Sequence, residues 1–146
     1  MTQIQNSCCS MKVVFNEDSL AVSTIDDNYV EKHVYLDDQK EMYPLTVLID
    51  KNEIVVGKEL EIISNGMKLE GFFKEFLSNP SEMKEYPIQY QNIQYNLMIE
   101  GILSLIINEF KKKIEKYCII DETIIELPTD NMISSLRVQQ ACMNIG

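Results

Sequence analysis

The strongest pattern in the sequence is a stretch of apolar side chains that recur every three or four residues between about Asn96 and Tyr117. This spacing places them on one face of an α-helix of about six turns. Asn96 is a residue type favoured at the N-cap. The lysines near the end of the stretch suit a solvated helix end, where cations complement the helix dipole, and the alternative interpretation of the run is a basic patch. Such a helix is stable only when its apolar face packs on another element. The segments on either side therefore decide the fold class.

Short extended segments precede this helix. Runs rich in β-branched residues alternate with turn signals such as Asp26-Asp27-Asn28. The predicted strands cover residues 11–16, 19–25, 29–36, 44–50 and 54–57. Residues 1–10 show no period and are interpreted as a flexible leader. The first part of the chain thus predicts a meander of short strands.

Further helices and one hairpin complete the pattern. A short helix is predicted from Lys58 to Ile63, and a second from Leu69 to Leu77, where three phenylalanines form an apolar stripe. The alternating stretch from Tyr86 to Tyr95 predicts a hairpin. After the long helix, residues 123–127 predict a buried strand that Pro128 ends, and Thr129 or Asp130 then caps a final helix over residues 132–143. This alternation of strands and helices favours an α/β fold.

Composition narrows the class of protein further. The chain has 146 residues, 45% of them hydrophobic, which is enough to bury the core of one domain. Its net charge of -10 disfavours nucleic acid as a partner, because an acidic surface repels phosphates. No apolar run reaches the length of about 18 residues that a membrane helix needs. Four cysteines without a CxxC pair suggest a reducing compartment, and we expect a cytoplasmic protein.

The residue inventory excludes most catalytic chemistries. His33 is the single histidine, so a histidine-rich metal site is excluded, and none of the scattered cysteines stands beside it in the sequence. The five glycines form neither a GxGxxG motif nor a P-loop. The acidic pairs Asp26-Asp27 and Asp37-Asp38 occupy turn-like positions, which predicts solvated turns. We therefore predict no catalytic residue and no metal site.

Three segments resemble the nucleotide-binding domain of seventy-kilodalton heat-shock chaperones. P-L-T-V-L-I-D-K-N-E-I-V-V-G-K-E-L, from Pro44 to Leu60, is similar to a segment of that family, with Pro44, Val47, Glu53 and Gly57 in register. E-T-I-I-E-L-P-T-D-N, over residues 122–131, resembles the family's strand that follows a long helix, and the closing A-C-M-N-I-G resembles a third segment. The match spans about residues 11–146.

This resemblance implies a ribonuclease-H-like, actin-like ATPase fold. In that family two lobes hold ATP between them, and the chain would correspond to the front part of the first lobe, over residues 11–146, with an inserted subdomain over about residues 58–95. The core order would lack its last strand and helix, so the fold would be incomplete at the C-terminus. The missing strand would leave an open sheet edge, which favours a protein partner or a homodimer formed by edge pairing or domain swapping.

The resemblance also identifies a degenerate phosphate site. The family's first hairpin turn contains a glycine that lets the backbone approach phosphate, and here Glu17 stands in its place. The aspartate of the same motif, which organises the metal-bound water, aligns with Phe15. Lys74 aligns with the family's phosphate-contacting lysine, and Asp18 and Ser19 lie in the matching turn. Lys74, Asp18 and Ser19 are therefore the residues that the resemblance implies for binding a nucleotide.

Two functions follow from these observations. The first is an interaction or regulatory module without ATPase activity and without a cofactor, since the phosphate turn is altered and the second lobe is missing. The alternative is a weak nucleotide-binding chaperone domain that holds ATP and magnesium after a partner or a second copy completes the site. The plainer interpretation of Lys74 is an exposed lysine on an amphipathic helix.

Overall fold

A computed structural model describes residues 7–36, 38–50, 53–58 and 66–143. The strands, in chain order, are β1 (Cys8–Phe15), β2 (Ser19–Ile25), β3 (Glu31–His33), β4 (Tyr43–Pro44), β5 (Val47–Ile49), β6 (Ile54–Val56), β7 (Met67–Leu69), β8 (Tyr86–Tyr90), β9 (Ile93–Leu97) and β10 (Ile119–Glu126). The helices are α1 (Phe72–Ser78), α2 (Ile99–Glu115) and α3 (Met132–Met143). Helices pack with a mixed sheet, so the predicted α/β class is confirmed.

The main sheet contains five strands, with the order β10-β1-β2-β3 and with β4 paired to the start of β2. β1 is antiparallel to β2, and β2 is antiparallel to β3. β10 lies parallel to β1, with Val13 opposite Ile125. Parallel neighbours need a crossover connection, and α2 is the last element of that connection.

The core lies on the face of the sheet that α2 covers. β1 alternates strictly, with Cys9, Met11, Val13 and Phe15 buried and the residues between them half-buried. This alternation is the pattern of a sheet with one face packed and one face wet. The buried side of α2 includes Ile102, Leu103, Ile106, Ile107 and Phe110, all with essentially no exposed surface. The ring of Phe110 meets Tyr43 edge-on at 5.5 Å between centroids. The predicted apolar face of the long helix is therefore confirmed.

Two smaller sheets lie beside the main one. The order β6-β5-β7 forms a three-stranded sheet, and β8 pairs with β9 as a hairpin. The hairpin turns at Gln91 and Asn92, both with positive φ, as its two-residue loop requires. The hairpin predicted over residues 86–95 is confirmed.

Gly57 follows β6 with φ 72°, and a Cβ there would lie 2.9 Å from the Leu36 side chain.

Several predicted elements begin or end at other residues in the structure. β1 begins at Cys8, inside the predicted leader, because Cys8 and Cys9 find partners in β10. The strand predicted over residues 29–36 is limited to Glu31–His33. Asn96 belongs to β9, and Met98 precedes α2. The cap of α3 is Asn131, whose side-chain oxygen accepts the Ser134 backbone N–H at 3.0 Å.

The boundaries of α1 and β10 also differ from the prediction. α1 begins at Phe72, since Leu69 ends β7 and Gly71 adopts a left-handed conformation between them. β10 begins four residues before the predicted strand because its pairing with β1 extends to Ile119. Its predicted burial was also wrong, since its residues are exposed or half-buried at the edge of the main sheet. Of the predicted helix at Lys58–Ile63, residues 59–63 lie outside the described residues, as do residues 1–6 of the predicted leader.

Arg137 joins α3 to α2 and to the chain after α1. Its guanidinium makes two hydrogen bonds of 2.7 Å to the two carboxylate oxygens of Glu100. It also donates to the carbonyl oxygens of Pro80 at 3.1 Å and Glu82 at 2.8 Å. The side chains of Arg137 and Glu100 are only 11% and 18% exposed. Hydrogen bonds from Arg137 lower the pKa of Glu100, so this carboxylate stays charged at neutral pH.

Replacing Arg137 should destabilise the fold strongly. We expect Arg137→Ala to lower the free energy of unfolding by about 3 kcal/mol at neutral pH, because the Glu100 charge would be left mostly buried without its partner. The matched control Lys112→Ala removes an exposed ion pair with Glu109 and should cost less than about 1 kcal/mol. Urea denaturation measures the free energy of unfolding of both variants. Equal losses in the two variants would contradict the structural role assigned to Arg137.

The same pair predicts a pH dependence. The folded-state pKa of Glu100 is lowered, so its contribution to stability is present above the unfolded-state pKa. That contribution is lost as the pH falls through the folded-state pKa. The stability gap between wild type and Arg137→Ala should therefore narrow in acid, which urea titrations at a series of pH values can check.

Candidate functional site

The turn between β1 and β2 lies where the resemblance implies a phosphate site. The backbone N–H of Asn16 donates to the Ser19 carbonyl at 2.8 Å, which closes the turn. The Asp18 carbonyl accepts the backbone N–H of Leu45 at 2.8 Å. Ser19 begins β2 and pairs with Pro44 of β4. The turn is thus held from both sides, by its own hairpin and by the β4 segment.

Lys74 reaches this turn from α1. Its ammonium nitrogen lies 3.9 Å from a carboxylate oxygen of Glu17. Both side chains are largely exposed, at 69% and 62%. The structure therefore brings Lys74 to the turn that contains Asp18 and precedes Ser19, and a protein carboxylate faces the lysine there. Binding of a nucleotide by these three residues stays a prediction.

The backbone of the turn does not have the conformation of a phosphate loop. Anion-binding nests need successive N–H groups that converge, with a residue in the left-handed region among them. Among the described residues, positive φ occurs at Gly57, Gly71, Tyr29, Gln91 and Asn92, all outside this turn. Residues 16–18 consequently present an ordinary tight turn that ends in carboxylate side chains.

Phe15, just before the turn, belongs to the hydrophobic core. Its side chain is 1% exposed and its ring stacks on Phe73 of α1, with 4.9 Å between centroids. Phe73 in turn packs against Phe76 at 5.7 Å. This aromatic cluster anchors α1, and with it Lys74, to the end of β1. The position that would carry an aspartate in the resembling family is therefore apolar and dry.

Two of the four cysteine thiols have a raised pKa. Burial, together with the neighbouring Cys118 thiol, raises the pKa of Cys9 to about 12. Burial raises the pKa of Cys142 to about 11. Both thiols stay protonated at neutral pH, whereas nucleophilic cysteines need a lowered pKa. In the described ranges, no three His, Cys, Asp or Glu side chains come together in a group that could hold a metal ion.

A second candidate surface lies at the outer edge of the main sheet. β10 pairs with β1 on one side, and within the described residues no strand occupies its other side. A groove of about 310 Å³ separates β10 from α3, lined by Thr123, Ile125, Ser135, Gln139, Cys142 and Met143. Met143 is exposed at the groove, and α3 exposes three further apolar side chains, Met132, Ile133 and Leu136. We call β10 together with this face of α3 the edge surface.

The chain matches no protein-family model, and a search of curated proteins finds no match. The resemblance described above therefore depends on its three sequence segments alone. Across the described ranges, the structure contains no helix that is both long and apolar enough to span a membrane.

Sequence reasoning missed the aromatic cluster at the turn and the Arg137–Glu100 pair. Phe15 and Phe73 are 58 residues apart, and a stripe of phenylalanines predicts only that the helix packs on something. Arg137 lies on a helix with a weakly apolar face, where an exposed arginine is the usual expectation. The alignment of Phe15 with the family's aspartate identified that position, but nothing in the sequence indicated that its ring would pack against Phe73.

Restoring the aspartate at position 15 should unfold the domain rather than create a metal site. We expect Phe15→Asp to lower the free energy of unfolding by at least about 4 kcal/mol, since it removes a buried ring and places a carboxyl group in an apolar core. Phe15→Leu is the matched control and should cost about 1–2 kcal/mol. Thermal unfolding followed by circular dichroism measures both variants. A Phe15→Asp protein as stable as wild type would contradict the buried position.

Proposed function

We propose that this chain is a non-catalytic protein-interaction module, built on a degenerate first lobe of the chaperone-ATPase type. The observation that carries the proposal is the contact of 3.9 Å between Lys74 and Glu17. The cation that would meet a phosphate in the resembling family already has a protein carboxylate beside it. A phosphate group placed at Lys74 would have to lie against that carboxylate.

Three effects together oppose nucleotide binding at the turn. Two like charges about 4 Å apart repel by about 1 kcal/mol in water and about 4 kcal/mol near a protein surface. The exposure of Glu17 favours the lower value, so charge alone is a modest barrier. The turn also lacks left-handed residues that would aim N–H groups at a phosphate. Phe15, in addition, offers no oxygen to organise a metal-bound water.

The strand order supports the fold part of the proposal. A ribonuclease-H-like core starts with three antiparallel strands, followed by a helix and a strand parallel to the first. β1, β2 and β3 are consecutive and antiparallel, α2 follows, and β10 lies parallel to β1. α3 then packs on α2, with the Ser104 hydroxyl donating to the Ala141 carbonyl at 2.9 Å. Each of these features agrees with the proposed first lobe.

The edge surface is the interaction site in this proposal, and its occupant is an extended, basic segment of another protein. An open strand edge offers backbone N–H and C=O groups for strand addition. Asp121, Glu122 and Glu126 are exposed on β10, and Ile125 lines the adjacent groove. Pairing two copies through β10 would bring two sets of these carboxylates together, so charge favours a lysine- or arginine-rich partner over a second copy.

Nucleotide binding tests the first part of the proposal. Calorimetry with ATP and magnesium should detect no binding at the turn, because Glu17 and the turn backbone exclude the triphosphate. The Lys74→Ala variant should therefore give the same titration as the wild type. ATP hydrolysis should equal that of a no-protein control. ATP binding with a Kd below about 1 mM that is lost in Lys74→Ala would contradict the proposal.

A second candidate function is weak nucleotide binding completed by a partner chain. The position of Lys74 at the turn favours it. Glu17→Gly removes the competing carboxylate and permits the missing backbone conformation. If the second candidate is correct, this variant should bind ATP at least about tenfold more tightly than wild type. If the interaction module is correct, Glu17→Gly should leave ATP binding undetectable.

The edge surface is tested with a peptide probe. A labelled extended peptide of alternating lysine and isoleucine should bind with an affinity that falls as salt is raised, since charge pairing contributes to it. Asp121→Asn combined with Glu122→Gln should weaken binding by about tenfold, whereas the control pair Glu41→Gln and Glu85→Gln, which removes the same charge outside the edge surface, should leave it within about twofold. Equal effects of the two pairs would exclude the edge surface, and a β10-dependent dimer in light scattering would identify a second copy as its occupant.

A further inference from the structure

A groove opens at the end of the main sheet opposite to the β1–β2 turn. It lies between the start of β1, the end of β2, the β3 segment and the last turn of α2. Its volume is about 650 Å³, within the range of about 300–1,000 Å³ that is usual for small-molecule sites. We call it the basic groove, after the lysines that line it.

The charge of the basic groove is opposite to that of the protein. Lys32 on β3, Lys113 on α2 and Lys116 directly after α2 all line it. Among the described residues that line the groove, Asp26 is the one acidic residue, and its carboxylate accepts the backbone N–H groups of Asn28 at 2.8 Å and Val30 at 3.0 Å. Three cations thus face one occupied carboxylate in a chain whose net charge is -10. The local potential favours an anion.

The lysines are not simply a solvated helix end. Lys113 is half-buried, and its ammonium lies 3.4 Å from the Leu36 carbonyl oxygen, which holds the side chain against the groove wall. Lys112, in contrast, is not among the residues that line the groove, and it pairs with Glu109 at 3.3 Å. The interpretation of the whole lysine run as solvated was wrong for Lys111, which is 8% exposed, and Lys113 is solvated only in part.

Aromatic and apolar side chains form the other walls. Tyr35 and Tyr117 line the groove and are exposed, at 38% and 76%. His33 stacks beside Tyr35 with 6.1 Å between ring centroids. Val30 and Ile114 add aliphatic surface. Flat side chains next to cations offer stacking for a ring and charge for an acidic group.

We propose that the basic groove binds a small organic anion that carries a flat ring. The carboxylate or phosphate group of the ligand lies among Lys32, Lys113 and Lys116, and the ring lies against Tyr35 and Tyr117. This site is at the far end of β1 from Lys74, so it is independent of the degenerate phosphate turn and of the edge surface.

Nuclear magnetic resonance titration of the ¹⁵N-labelled protein tests the site. The probes are phenylacetate and phenyl phosphate, with benzyl alcohol and acetate as the ring-only and anion-only controls. We expect saturable shifts of the amide signals of residues 30–36 and 113–118 with at least one ring-bearing anion, and binding at least about tenfold weaker for both controls. The comparison of the two anions identifies the acidic group that the groove prefers.

Matched lysine variants separate the groove from general charge. Lys113→Gln should weaken binding of the better probe by about tenfold, and Lys113→Arg should restore most of it. Lys112→Gln removes the same charge one residue earlier, outside the groove, and should change the affinity by less than about twofold. Absence of saturable shifts at millimolar probe, or equal losses in Lys112→Gln and Lys113→Gln, would overturn the proposal.

Discussion

The hydrophobic core that the apolar side of α2 and the inner face of β1 share is the constraint on which the other features depend. The apolar side of α2 has essentially no exposed surface, and every second residue of β1 from Cys9 to Phe15 is buried beneath the helices. The crossover that ends with α2 places β10 beside β1, and α3 then packs on α2. The two ends of β1 therefore become the two places where polar groups converge, the turn after Phe15 and the groove beside Cys8. The positions of both candidate ligand sites therefore follow from the position of β1 in the core.

The long helix, the terminal helix and the Tyr86–Tyr95 hairpin could be predicted from the sequence, because each has a local signal. Apolar spacing gives α2, and residues that tolerate positive φ give the turn at Gln91 and Asn92. Strand lengths could not be predicted as well, since β1 gains Cys8 and Cys9 from pairing with residues about 110 positions later. Local periodicity contains no information about a neighbour that far along the chain.

The candidate sites, like the strands, could be predicted from the sequence only in part. Proximity of Lys74 to the β1–β2 turn followed from the resemblance, while its pairing with Glu17 depends on where the aromatic cluster holds α1. The lysine run near the end of α2 allowed the interpretation of a basic patch, but the basic groove itself could not be predicted, because Lys32 and Lys113 come together only when β3 and the end of α2 meet. The net charge of -10 does not reveal that one part of the surface is positively charged. The proposed interaction module is thus acidic at its open edge and basic at one end of its sheet.

The parallel pairing of β1 with β10 also has a consequence for how the chain is made. Cys8 lies opposite Ile119, so the first strand meets its neighbour only after more than a hundred further residues have been synthesised. Until then the β1–β2 hairpin has an unpaired side and an uncovered apolar face, and closing so large a loop is entropically costly. This domain should therefore fold cooperatively, and only after most of the chain has been synthesised. The growing chain should be most prone to aggregate while it is still on the ribosome.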